Sequence, residues 1–293
     1  MGWELPPERG GRAASDALRE RRAGMAAAAP PAPVGVACER GQTAGVGCVV
    51  LTPPQWGSEL VYLHGGGYRM GDPAGWVPLV ARLAAAFGAR ATIVDYRLAP
   101  EHPFPAALHD AAAVYQALAS ATGRPVVVGG DSAGGGLAAA LTAAALGNGA
   151  APPAALVLFS PWLDLTLTGA THASRAERDR LFPPASSIEA ADTYLQGHPA
   201  DDPLASPAFA DVEGFPPTLL FAGTEETLLS DAVSFAGRLA LAGAPVTLQV
   251  AAGMQHVWPL LEPGAPATAA AFGTVAAFAA SVLPPGDGER PPR

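Results

Sequence analysis

Lysine is absent: all 17 basic residues of this 293-residue chain are arginine. Without an ε-amine there is no Schiff-base nucleophile, and no P-loop lysine to meet a nucleotide phosphate. Cysteine is scarce, with only Cys38 and Cys48, which excludes a disulfide framework and a thiolate zinc site. Their positions in two short β-rich runs lead us to expect two packed thiols facing each other across a hairpin. Charged residues make up 15%, against about 25% in typical domains. Acids outnumber bases 26 to 17, for a net charge of −9, and no basic run exists, so a nucleic-acid partner is not expected. A single asparagine and two isoleucines beside the missing lysines read as the codon bias of a GC-rich genome. No apolar run approaches the ~18 residues of a membrane span. The first 24 residues carry mixed charge and lack an apolar stretch, so neither a signal peptide nor stable membrane insertion is expected, and a cytoplasmic location follows. Met25 lies inside the helical segment expected over 17–29, which leaves the start ambiguous between Met1 and Met25.

What is present is abundant apolar residue, 49% of the chain, with 34 glycines and 31 prolines as punctuation. A chain this long hides roughly three quarters of its unfolded surface and needs no staples. Residues 1–33 read as a polar lead, a helix over 17–29 capped by Ser15 or Asp16, and a proline-rich linker. From Val34 short β runs alternate with helical stretches: a hairpin, then "ELVYLHGGG", "ATIVDYR", "PVVVGGD", "AALVLFSPW", "PTLLFAG" and "PVTLQVAAG". Continuous apolar strands separated by helices of 12 or more residues indicate an α/β class, with a mostly parallel sheet covered on both faces and an antiparallel hairpin at one edge. The alternation breaks over about 165–215, an excursion best read as an insertion over the sheet. The final helix runs from about 265 to 282, and 284–293 reads as a disordered tail.

The sharpest motif is "GGDSAGG". Gly130, Ser132 and Gly134 fit G-x-S-x-G between a strand and an alanine-rich helix, the setting in which a strained turn presents a serine hydroxyl as nucleophile. Asp131 beside it is expected to point away from a substrate. "HGGGY", His64 to Tyr68, follows an apolar strand, and its glycines free backbone N–H groups to converge on one point. We expect an oxyanion hole from Gly65, Gly66 and Ala133, with Gly67 completing the loop and His64 orienting it. The required order of nucleophile, acid and histidine leaves His256, in a loop after the last strand, as the base. The acid should follow "PTLLFAG", where Glu225, Glu226 and Asp231 are available. Glu226 stands best relative to the strand end, Asp231 reads as the cap of the next helix, and Asp164, after "FSPWL", ranks fourth among the candidates. Elsewhere, Asp95 and Arg97 are expected to pair, Glu101 and His102 to bond backbone, and Tyr68, Trp162, Phe182 and Phe209 to be candidates for lining a pocket.

The set "HGGGY", "DYRLAPEHPFPAAL", "GGDSAGG", "SPWLDL" and "MQHVW" resembles the hormone-sensitive-lipase group of α/β-hydrolases, bacterial esterases in particular, over about 34–283. The resemblance implies an eight-stranded, mostly parallel sheet with helices on both faces. It also implies a helical cap built from residues 1–33 and the insertion at about 165–215. It further implies hydrolysis of small carboxylic esters of short or medium chain through an acyl-enzyme, with no cofactor and no metal. Such relatives place the acid about thirty residues before the histidine, which falls on Glu226; where they commonly carry Asp-Pro-Leu, this chain has Glu226-Thr227-Leu228. The same triad would also serve an amidase, lactonase or acyltransferase, and a non-catalytic receptor is the reading of another class. A homodimer through the last strand or helix is a further expectation.

Overall fold

A computed structural model describes residues 2–31, 33 and 35–283; the expected tail at 284–293 and the boundary residue Val34 lie outside them. Strands β1 (Ala37–Thr43) and β2 (Val46–Thr52) form the expected hairpin. Its two-residue turn, Ala44 and Gly45, has positive φ at both positions, which matches the twist of the flanking strands. Strands β3 (Ser58–Leu63), β4 (Ala89–Val94), β5 (Val126–Asp131), β6 (Ala155–Phe159), β7 (Thr218–Gly223) and β8 (Val246–Ala251) complete one eight-stranded sheet. Its order is β1-β2-β4-β3-β5-β6-β7-β8. Pairing is antiparallel at β1/β2 and β2/β4 and parallel from β4 onward.

Helices cover both faces. Helix α1 (Asp16–Ala27) precedes the sheet, and α2 (Val77–Phe87), α3 (Ala106–Thr122) and α4 (Ala133–Gly147) connect its strands. Short α5 (Ala170–Ser174) and α6 (Pro184–Leu195) lie in the 165–215 excursion. Helices α7 (Leu229–Leu241), α8 (Trp258–Leu261) and α9 (Pro266–Val282) follow. Side chains alternate across each strand. Leu60 and Tyr62 therefore join Leu83 and Val275, from α2 and α9, in one apolar layer. Val61 and Leu63 join Leu108, Leu137 and Phe235, from α3, α4 and α7, in the other. The parallel strands β3, β5, β6 and β7 are buried along their whole length, as their continuous apolar runs demand.

Three local expectations are corrected. The hairpin register pairs Cys38 with Leu51 and Cys48 with Gly41, so the cysteines do not face one another; Cys38 is exposed and Cys48 buried. Arg97 does not pair with Asp95. Its guanidinium takes Asp110 of α3 and Glu8 of the N-terminal segment, and its own N–H is also donated to Asp110. Asp95 packs instead against the backbone of Gly47. Glu101 binds the Arg22 guanidinium of α1 through both carboxylate oxygens, at 2.8 and 2.9 Å, rather than backbone. Ser15 does cap α1, accepting from Leu18 N–H at 3.2 Å. Among the described residues no helix is long and apolar enough to cross a membrane.

Candidate active site

Ser132 sits between the end of β5 and the start of α4 with φ 52° and ψ −123°. An L-residue in such a sparsely populated conformation costs about 1–3 kcal/mol and persists only when its surroundings over-determine it. Here Ser132 N–H donates to Phe159 O at 2.9 Å, while its carbonyl accepts from Gly136 and Trp162 at 3.1 and 2.9 Å. Gly130 and Gly134 are obligatory. A Cβ at Gly130 would stand 2.3 Å from Gly134 O, and one at Gly134 would stand 2.0 Å from Leu63 O.

His256 follows β8, and Val257 behind it has φ 50° and donates its N–H to Ser160 Oγ at 3.0 Å. The imidazole Nε2 lies 2.9 Å from Ser132 Oγ, and Nδ1 lies 2.9 Å from Glu226 Oε2. The Phe182 ring stacks on the imidazole with centroids 5.6 Å apart. Glu226 is wholly buried, and its Oε1 accepts the Gly223 N–H at 2.6 Å. The other acids stand elsewhere. Glu225 turns toward Thr224 and Arg178. Asp231 does not cap its own helix; its Oδ2 accepts the N–H groups of Leu163 and Asp164. Asp164 itself accepts from Thr166 and Thr168.

Burial is the largest influence on the His256 imidazole and favours its neutral form. The Glu226 hydrogen bond and charge, with Asp179 and Asp131 behind them, outweigh it and hold the ring's pKa above its ordinary value. Burial pushes the Glu226 carboxyl up, opposed by the His256 contact. The other histidines lie apart from Ser132. His64 is held neutral by burial, its pKa pushed down to about 4, and its Nδ1 lies 2.7 Å from Gly65 O. His109 meets Pro6 O, His198 meets Asp202, and His172 lies 3.6 Å from Asp231.

The glycine loop requires one correction. The Gly65 N–H is donated to Asp131 Oδ1 at 3.0 Å, an oxygen that also accepts the Tyr62 hydroxyl. It is therefore not free to face an oxyanion. The N–H groups of Gly66 and Gly67 donate to no protein acceptor among the described residues. Ala133 opens α4, so its N–H belongs to the first helical turn, which lacks intrahelical acceptors. Asp131 thus holds the loop from the position beside Ser132, and burial raises its own pKa to about 6. No spacing rule links residue 131 to residue 65, so this contact was not visible in the sequence.

Ser132 and His256 open into a cavity of about 440 Å³ whose wall includes Met25 of α1, Met70, Trp76, Phe182 and Leu260. Of the four aromatic candidates only Phe182 borders it. Tyr68 and Trp162 are buried in the core, and Phe209 is exposed. Asp179 is a residue the sequence did not single out. It is buried, accepts from the N–H and hydroxyl of Thr227 and from the Phe182 N–H, and so joins the strand-end turn carrying Glu226 to the excursion carrying Phe182. Among the described residues no group of three or more His, Cys, Asp or Glu side chains is arranged to hold a metal ion.

A family model described as the alpha/beta hydrolase fold matches residues 60–260. An acetyl-hydrolase of Streptomyces hygroscopicus is 41% identical over 226 residues, covering 76% of each chain. An esterase of Acinetobacter venetianus is 34% identical over 230 residues, 76% of this chain and 75% of the relative. A crystal structure described as a hormone-sensitive lipase from a metagenome library superimposes with a TM-score of 0.86 at 36% identity, covering 90% of this chain and 91% of that one.

Proposed function

The chain belongs to the α/β-hydrolase family, in its hormone-sensitive-lipase group, and is a carboxylic ester hydrolase; on that premise we propose that Ser132 is its nucleophile, His256 its base and Glu226 the acid that orients the histidine. The observation that carries this reading is the unbroken relay of two 2.9 Å contacts, from Glu226 to His256 and from His256 to Ser132, among residues on three separate loops.

Glu226 accepts the Nδ1 proton, which leaves Nε2 as the acceptor facing the serine. As Ser132 Oγ bonds to the ester carbonyl carbon, its proton passes to Nε2 and the carbonyl oxygen becomes an oxyanion. In this reading that charge is received by the N–H groups of Gly66 and Gly67, which donate to no protein acceptor among the described residues, and of Ala133. Collapse of the adduct breaks the bond to the alcohol, which leaves with the proton from His256. Water then attacks the acyl-enzyme, gives its proton to Nε2, and the returning serine recovers it. The cavity of about 440 Å³, lined largely by apolar side chains, suits a short or medium acyl chain.

Ser132→Ala is expected to abolish turnover of p-nitrophenyl acetate and butyrate and to block labelling by a fluorophosphonate. Retained turnover would refute the nucleophile. A parallel panel of amides and lactones separates the ester reading from other uses of the same triad.

A further inference from the structure

We propose that Arg69 is a positioning residue: by clamping the glycine loop to α6 on one side and to α1 on the other, it fixes where the Gly66 and Gly67 N–H groups point. The proposal rests on the serine mechanism above. Arg69 belongs to the same turn as those glycines, because its N–H donates to Gly66 O at 3.2 Å and that of Met70 to the same oxygen at 3.1 Å. The turn has no slack, since a Cβ on Gly66 would stand 1.9 Å from Met70 O.

One face of α6 sits on this loop. Ser186, Ala190 and Tyr194 recur every four residues and so share that face. The Ala190 methyl would be 3.2 Å from a Cβ at Gly67, and the Tyr194 ring stacks on Tyr68 at 3.8 Å between centroids, 6° from parallel. The Arg69 guanidinium closes the seam, reaching Ser186 Oγ at 3.1 Å, Ser186 O at 3.3 Å and Glu189 Oε2 at 2.8 Å. From the opposite side, Arg22 Nε of α1 donates to the Arg69 carbonyl at 2.8 Å, while the same guanidinium holds Ala99 O and Glu101.

Stability does not account for a guanidinium in this wall. The Arg69 side chain is 4% exposed, yet its carboxylate partner Glu189 is 69% exposed. A partner so open to solvent returns little for desolvating a cation. The Arg69 Nε–H finds no acceptor among the described residues. What the arrangement does supply is directional restraint, at a point where a small displacement of a backbone donor is felt in the transition state.

The test compares Arg69→Met and Arg69→Lys with wild type on p-nitrophenyl acetate, alongside binding of a trifluoromethyl ketone, whose serine adduct carries the oxyanion. Losing one oxyanion donor outright costs ~10²–10³ in kcat. Displacing donors is expected to cost Arg69→Met about ten- to a hundredfold, with KM within twofold and ketone affinity falling by the same factor. Arg69→Lys should recover part of the loss. A lowered melting temperature with unchanged kcat would overturn the proposal. So would a loss confined to KM, which would instead make Arg69 a substrate-binding group. If Arg69→Met does not fold, the Ser186→Ala/Glu189→Ala pair leaves Arg69 in place without its side-chain acceptors. A kcat loss of threefold or more at constant KM supports the clamp, and unchanged kcat overturns it. Activity surviving Ser132→Ala would refute the serine reading independently of either result.

Discussion

Glu226→Gln isolates what the buried acid does, because the surroundings dictate how the amide must lie. The Gly223 N–H points at Oε1 from 2.6 Å and His256 Nδ1 faces Oε2 at 2.9 Å. Glutamine can satisfy Gly223 only with its carbonyl oxygen, since the opposite orientation would set two donors against each other. Its NH2 group must then occupy the Oε2 position and donate to Nδ1. That contact selects the tautomer with the proton on Nε2, so the ring presents a donor to Ser132 Oγ, 2.9 Å away, where an acceptor is needed. The change is nearly isosteric, so the fold should hold. In a serine protease, the corresponding amide substitution leaves geometry intact and lowers kcat by ~10⁴. A similar loss is expected here, about 5 kcal/mol at ~1.4 kcal/mol per decade. Steady-state kcat on p-nitrophenyl acetate reads the effect, with Glu225→Gln and Asp231→Asn as controls expected within tenfold of wild type. A Glu226→Gln enzyme that keeps more than a tenth of kcat would refute the orientation argument, and a larger loss at Glu225 or Asp231 would move the acid elsewhere.

Other outcomes follow from the same contacts. In the proposed mechanism His256 must be neutral to accept the serine proton, and its pKa is raised by Glu226 despite burial. Its protonated pairing therefore stabilises the fold at low pH and is lost as pH rises through the folded pKa. Activity runs the opposite way, so kcat/KM should climb with pH through a single ionisation above 6.5, and a midpoint below that value in a pH–rate profile contradicts it. Gly134→Ala drives a methyl to 2.0 Å from Leu63 O and 2.5 Å from His64 O, both backbone. Overpacking of this kind costs ~1–3 kcal/mol or more, so calorimetry should show a Tm lower by roughly 5 °C together with lost turnover; an unchanged Tm contradicts the close approach. Glu101→Gln weakens the half-buried pair with Arg22, which is expected to leave kcat on short esters within threefold while trypsin cuts faster at Arg19, Arg21 and Arg22. An unchanged digestion rate would mean that the pair does not hold α1.

The parts of the site legible in the sequence are those fixed by local backbone. A glycine-flanked serine between an apolar strand and an alanine-rich helix has few ways to fold, and its strain is written in Gly130 and Gly134. The order of elements then singles out His256 among six histidines. The acid was narrower than a guess but not unique, because Glu225 and Glu226 are neighbours in one turn. Which carboxylate turns inward depends on the Gly223 N–H that Glu226 accepts and on the Arg178 beside Glu225. Gly65 was assigned to the wrong task for a similar reason. Three consecutive glycines look equivalent in sequence, and only the arrival of Asp131 from another strand end takes the first of them out of use. Asp95 and Arg97 looked like a pair because they are close in the chain, yet Asp110, 13 residues on, satisfies both the backbone and the guanidinium of Arg97.

The N-terminal segment was the hardest to place because hydrophobic patterning carries no information about it: α1 buries none of its residues. Its position is set in part by charge, through Glu8 to Arg97 and Arg22 to Glu101, contacts spanning 89 and 79 residues of sequence, and in part by Trp3, Leu5 and Met25 packing on the apolar layers. In each pair the arginine's hydrogen bond holds the carboxyl below its usual range, so both remain charged at neutral pH. Charge pairing has no period, which is why a helix can be foreseen from its Ser15 cap while its docking site cannot. The same physics divides the molecule by its response to solvent. The sheet rests on buried apolar layers that salt does not weaken. The segment that brings Met25 to the cavity wall adds half-exposed ion pairs to its few apolar contacts, and a rise in ionic strength screens those pairs first.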